Sequence, residues 1–186
     1  MAIKIFIDPG HNPSGPNTGA TGNGLNEADV TFEVSSILAR LLNNNPDFTA
    51  RLSRTTPTEV LGNTNSQSLS ERVRLANEWN ADYFISIHTN AVSNPQANGT
   101  EVLVYSLRAP IYPLAEEVLE AITERMNTKD RGVKTDPSLY VLRRTRMPAM
   151  LIELGFITNP QDAQKLRDDP YGFAYSIYEA IVDYFD

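Results

Sequence analysis

The sequence predicts an α/β fold, a single-domain three-layer sandwich in which a twisted, mostly parallel sheet lies between helices. Three observations predict it. Runs at 3–7, 82–87 and 148–152 are largely apolar at consecutive positions, as strands buried on both faces are. Longer segments between them carry apolar residues at helical spacing, so strand and helix alternate along the chain. The length of 186 residues fits one domain with a sizeable core, and neither a repeat nor a linker divides it.

The first strand, IKIFI at 3–7, is closed by Asp8-Pro9-Gly10, and His11 follows. Residues 12–24 are dense in Gly, Pro, Asn, Ser and Thr and read as a loop. NEAD at 26–29 opens a helix that reaches about residue 42, with Val30, Val34, Ile37, Leu38 and Leu41 as its apolar stripe. Asn43-Asn44-Asn45-Pro46 ends it. A short strand is expected at 48–53 and an exposed loop at 54–67. Ser68 or Ser70 would cap a second helix reaching about residue 80, with Leu69, Val73 and Ala76 turned inward. DYFISI at 82–87 is the second buried strand and delivers His88. A further strand is expected at 99–106, a helix at 113–127, a loop at 131–137 and a short strand at 140–142. PAMLI at 148–152 is the last buried strand and delivers Glu153. Helices near 160–167 and 171–185 complete the chain.

Composition removes several classes of function. The net charge of −7 leaves no broad basic surface for nucleic acid or anionic lipid. No stretch is long and apolar enough to insert across a membrane. The chain has no Cys, which excludes disulfides, thiolate nucleophiles and thiolate metal sites together. Any transition metal must then be held by His and carboxylates.

The chain has two His residues, and each directly follows an apolar strand. In open α/β sheets, ligands bind at the carboxyl ends of the strands. Two imidazoles on that edge can converge to ligand distance, although each could equally be a satisfied loop imidazole. Glu27, at the start of the first helix, is either a first-turn Glu favoured by the helix dipole or a carboxylate ligand. Two His and one Glu match a three-ligand Zn²⁺ site with an open fourth position, and Mn, Fe and Co accept similar donors. Glu153 closes a buried strand. It either pairs with Arg143, Arg144 or Arg146, or acts as general base and acid beside a metal-bound water. Burial would raise its pKa and a nearby zinc would lower it. Asp8 either closes a plain Asp-Pro-Gly turn or orients His11 and its loop. The glycines at 10, 15, 19, 22 and 24 match no phosphate-binding pattern, so a loop rimming the metal site is expected. No Ser lies in a strand-to-helix nucleophile elbow.

Three stretches carry a family resemblance. DPGHNPSGPNTGATGNGLNE resembles the first metal motif of the zinc-dependent N-acetylmuramoyl-L-alanine amidases of the third amidase family. LSERVRLANEWNADYFISIHTNA resembles that family's second metal motif with the helix before it, and RGVKTDPSLYVLRRTRMPAMLIELGFITNPQDAQKL its C-terminal catalytic segment. In this order the three are highly specific and span nearly the whole chain. The resemblance implies a twisted sheet of about six strands flanked by helices. It implies His11, Glu27 and His88 as ligands of Zn²⁺ and Glu153 as the catalytic carboxylate. Residues 1–186 would be one zinc amidase catalytic domain.

The implied partner is peptidoglycan, both glycan strand and stem peptide. The bond cut would be the amide between N-acetylmuramic acid and L-alanine. Arg143 or Arg144 could meet a stem-peptide carboxylate or simply be solvated. The rivals are a non-catalytic wall-binding module, expected to lack one of the four residues, and a zinc peptidase cutting inside the stem peptide. Many members of the family carry a helical insertion that blocks the site; ordinary elements join His88 to Glu153 here. The expected place of action is the bacterial cell wall. MAIKIFIDPG has no features of a secretory signal. Release by lysis, as with an endolysin, a host or spore-associated role, or excision from a longer chain is therefore expected.

Overall fold

A computed structural model describes residues 2–186. In chain order its elements are β1 (Ile3–Pro9), β2 (Thr21–Gly22), β3 (Leu25–Asn26), α1 (Glu27–Asn43), β4 (Phe48–Leu52), α2 (Asn65–Trp79) and β5 (Tyr83–Asn90). Then follow β6 (Thr100–Val104), α3 (Tyr112–Met126), β7 (Asp130–Thr135), α4 (Tyr140–Arg144), β8 (Ala149–Phe156), α5 (Pro160–Asp168) and α6 (Pro170–Phe185). Six strands form one sheet in the order β4-β1-β5-β8-β6-β7. Every pairing is parallel except β6 with β8. The expected α/β sandwich around a mostly parallel sheet is the fold found. No described helix is long and apolar enough to cross a membrane.

Successive strand residues point to opposite faces, and here both faces are covered. Ile5, Ile7, Ile85, Ile87, Met150 and Ile152 belong to the larger core, shared with α1, α3 and α6. Phe6, Phe84, Ala149 and Leu151 belong to the smaller one, which Val73 and Ala76 of α2 and Val141 and Leu142 of α4 complete. Double coverage is why these strands read as unbroken apolar runs. On the smaller face the alternation continues into Asp8, Ser86, His88 and Glu153. That face therefore turns from apolar to polar toward the carboxyl ends of β1, β5 and β8.

Several local expectations are corrected. Residues 140–142 are not a strand; they open α4, with the N–H groups of Leu142 and Arg143 donating to Leu139 O. An apolar run of three carries no period and fits either element. Residues 131–137 are largely not a loop, because Asp130–Thr135 form edge strand β7. A polar edge strand lacks the apolar signature of a buried one. The loop at 12–24 is not wholly irregular: it includes β2, which turns at Asn23-Gly24 to pair with β3 just beyond it, an Asn-Gly signal for a tight hairpin. Helix α2 starts at Asn65, capped by Thr64, whose side chain accepts from Gln67 N; Ser68 is buried instead. Finally, β5 and β8 run past His88 and Glu153, so both residues lie within strands rather than just beyond them.

Candidate metal centre

Three elements converge at the carboxyl edge. His11 lies two residues past β1, His88 lies in β5 and Glu27 is the first residue of α1. The backbone of His11 is left-handed, with φ 64°, a rare conformation for a side-chain-bearing residue that draws attention at a site. One donor atom from each of the three residues falls within 4.8 Å of the others. The two imidazoles meet edge to face, ring centroids 4.8 Å apart.

Glu27 is buried, and each of its oxygens has two neighbours. Oε1 accepts from Thr89 N at 3.0 Å and faces His88 Nδ1 at 3.3 Å. Oε2 accepts from Ala20 N at 2.9 Å and faces His11 Nε2 at 3.3 Å. Burial alone would raise this carboxyl; the hydrogen bonds and charges of the two histidines hold it well below the usual carboxylate range. The His11 ring is shifted upward: burial opposes its charged form, but the hydrogen bond and charge of Glu27 outweigh that.

The residues fit a cation. His11 Nδ1 pairs with Asn17 Oδ1 at 2.9 Å, and Asn17 Nδ2 donates to Ser68 Oγ at 3.1 Å. In the neutral ring, that pairing leaves the lone pair on Nε2, facing a carboxylate oxygen. Such a juxtaposition calls for a proton or a metal ion between the two. Two ligands of a tetrahedral ion held at about 2.0–2.1 Å stand roughly 3.3 Å apart, the spacing of both imidazole–carboxylate contacts. The backbone is closed tightly around the set. A Cβ on Gly10 would stand 2.5 Å from His88 Cε1, and one on Gly19 would stand 2.7 Å from His11 Cγ.

A buried ion pair fixes this loop from below. Asp8 accepts from Arg72 Nη1 at 2.7 Å, Ser53 Oγ at 2.6 Å and Ser86 Oγ at 2.8 Å. Burial would raise its carboxyl, but the Arg72 charge and the hydrogen bonds from Ser53 and Arg72 keep it below its ordinary value. Arg72 also donates to Pro9 O at 2.5 Å, His11 O at 2.6 Å and Asn12 Oδ1 at 3.1 Å. One guanidinium thus pins four positions of a five-residue stretch, 8, 9, 11 and 12. Thr31 of α1 donates to Gly10 O at 2.8 Å and ties the same loop to the helix that carries Glu27.

Glu153 sits beside the set. It is the register partner of His88 on β5 and of Glu101 on β6. A cavity of about 280 Å³ is lined by His11, His88 and Glu153 together. Its Oε2 is buried with no hydrogen-bond partner. Burial first, then the charges of Glu27 and Glu101, push its carboxyl up to about 8. Arg143, Arg144 and Arg146 are exposed and make no ion pair with it. Glu101 instead holds cations of its own, Arg131 and Lys134.

Sequence reading brought forward the four residues that meet here and offered Asp8 as a support for the His11 loop, the role its pair with Arg72 gives it, but passed over Arg72, Asn17 and Thr31. Arg72 carried a usable signal: it lies three residues after Leu69 and four before Ala76, on the inward stripe of α2, where a charge needs a buried partner. Asn17 and Thr31 carried none, since their roles exist only after the loop has closed.

Fold and site define a class: an α/β domain with a candidate mononuclear metal centre of two imidazoles and one carboxylate, open to a cavity at the strand ends. Within it, the chain belongs to the N-acetylmuramoyl-L-alanine amidase family, whose model matches residues 5–183. It is 40% identical to N-acetylmuramoyl-L-alanine amidase CwlM of Bacillus licheniformis over 171 residues, which cover 91% of this chain and 62% of that protein. The chain thus spans less than two thirds of that relative's length. An N-acetylmuramoyl-L-alanine amidase from Clostridium difficile 630 superposes with a TM-score of 0.87 at 33% identity, covering 100% of this chain and 97% of that one. AmiC2 of Nostoc punctiforme gives 0.85 at 34%, covering 98% and 97%.

Proposed function

We propose that residues 1–186 are a zinc amidase catalytic domain that hydrolyses the amide between N-acetylmuramic acid and L-alanine in bacterial peptidoglycan. The observation that carries this is the convergence of His11, Glu27 and His88 next to an unpartnered Glu153 in one cavity. Family membership and relatives named as amidases support the choice of bond. The place of action is the cell wall; among the relatives is an endolysin of Bacillus phage SPP1, 31% identical over 175 residues.

His11, Glu27 and His88 would hold Zn²⁺. When bound, zinc supplies Lewis acidity, polarising a carbonyl and easing deprotonation of a water. Glu27 contributes the negative charge of the set, and its two backbone donors keep the carboxylate in place. Asn17 orients the His11 ring by fixing which nitrogen carries the proton. Glu153 takes the proton of the attacking water on its free Oε2 and passes it to the leaving amine. All four residues are present, which disfavours a purely wall-binding module.

Metal content tests this first. The purified protein should hold about one zinc per chain. Chelation should abolish lysis of purified walls and zinc should restore it. Full activity in metal-stripped protein would overturn the proposal. A second test is Asn17→Gly, which removes the acceptor for His11 while suiting the left-handed backbone at this position, φ 62°. Loss of such an outer partner weakens metal binding by about 10–100-fold. Competition with a fluorescent zinc chelator would measure it, and wild-type affinity would contradict the role given to Asn17.

A further inference from the structure

Two buried carboxylates stand side by side on the sheet, and only one of them has partners. Glu101 of β6 is the register partner of Glu153 on β8, so the two side chains share a face on neighbouring strands. Both oxygens of Glu101 are taken. Oε1 accepts from Asn90 Nδ2 at 3.0 Å; Oε2 accepts from Arg131 Nε at 2.9 Å and from Lys134 Nζ. Glu153 Oε2 is buried with no partner. The strand order β8-β6-β7 puts Glu101 between Glu153 and the two cations of β7. Reach is not what separates them. The Arg131 guanidinium already crosses to β8, lying 4.9 Å from the ring centroid of Phe156, three residues along from Glu153. Lys134 carries its ammonium on a flexible four-carbon stem. With the amidase function proposed above, Glu153 must take a proton from water and give it to the amine. A cation bound to its carboxylate would occupy the lone pairs that do this.

We propose that Glu101 is a positioning residue that guards the base: it holds Arg131 and Lys134 in ion pairs of its own and so keeps them off Glu153. The inference rests on the amidase reading and adds to it a residue that acts only through Glu153 and its neighbours. Asn90, two residues past His88 on β5, steadies the guard by donating to its other oxygen. Removing the Glu101 charge frees both cations. Glu153, buried and unpartnered on the next strand, is then the carboxylate left open to them.

The test compares four zinc-loaded proteins on a synthetic N-acetylmuramoyl-alanine peptide: wild type, Glu101→Gln, the double variant Arg131→Gln with Lys134→Gln, and the triple variant. Glu101→Gln should lower kcat by about tenfold or more, part of the roughly 10²–10⁴-fold that losing a general base costs. Its KM and zinc content should not change. The triple variant should regain most of the lost rate, because no cation is left to capture Glu153; damage to the fold would not be repaired this way. The double variant should keep the wild-type KM, and it retains Glu101, so it tests the proposal even where Glu101→Gln folds poorly. A crystal structure of Glu101→Gln should show Arg131 or Lys134 within about 4 Å of a Glu153 oxygen. Wild-type kcat in Glu101→Gln would overturn the guard, as would a triple variant as slow as the single one, or cations that stay away from Glu153 in that crystal. A raised KM in the double variant would also overturn it and give the cations to substrate binding. If zinc-loaded wild type left the amide uncut, the amidase reading itself would fail, an outcome distinct from all of these.

Discussion

Glu153→Gln is expected to keep about one zinc per chain while the rate of wall lysis falls by roughly 10²–10⁴-fold, the usual cost of losing general-base help. The upper end is expected because one carboxylate serves as base for the water and as acid for the amine. The amide has nearly the same shape but cannot accept the proton. His88→Ala should behave differently, losing zinc and lysis together. Metal analysis beside lysis rates for both variants separates the roles. Loss of zinc in the Gln variant would make Glu153 a ligand, and near-normal lysis would place the base elsewhere.

The same substitution has a signature in metal-free protein. The Glu153 carboxyl is pushed up to about 8, first by burial and then by Glu27 and Glu101. A group raised in the folded state contributes stability fully below its unfolded pKa, and that contribution disappears as pH climbs through the folded value. Metal-free wild type should therefore lose stability between roughly pH 4.5 and pH 8 relative to Glu153→Gln, which has no charge to bury. Urea unfolding of both proteins across that range would check the sign.

Arg72→Ala carries the other large effect, on stability. Asp8 and Arg72 are both almost wholly buried and 2.7 Å apart. Removing one partner of such a pair typically costs about 3–5 kcal/mol, because the other charge stays buried and uncompensated. For a chain of this size that is a fall in Tm of roughly 6–20 °C. Arg74→Ala, two positions along the same helix, breaks exposed pairs with Glu71 and Glu78, which solvent screens, and should leave Tm nearly unchanged. The pH dependence follows from Asp8. Its folded pKa is lowered, so its contribution is present above the unfolded value near 3.8 and is lost as pH falls through the lower folded one. The gap between wild type and Arg72→Ala should narrow in acid. Equal melting temperatures for the Arg72 and Arg74 variants would contradict the role given to the buried pair.

The fold was readable where burial is two-sided. Strands β1, β5 and β8 announce themselves as apolar runs because helices cover both faces, and the three reactive residues they position are at or near their carboxyl ends. Strand β7 was hidden because an edge strand with Asp130, Arg131, Gly132 and Lys134 buries little. Helix α4 was hidden because five residues are too few to show a period. Within the site, the identities of His11, Glu27, His88 and Glu153 could be read. Their geometry could not, since it depends on Arg72 and Asp8, 64 positions apart, and on Asn17 and Ser68, 51 apart. Contacts at such separations leave no local pattern.

The most direct test of the central claim is the identity of the new chain ends in purified peptidoglycan digested by the zinc-loaded protein. The account predicts newly exposed amino groups on alanine and no new reducing sugar. New reducing ends, or a new amino terminus other than alanine, would contradict it.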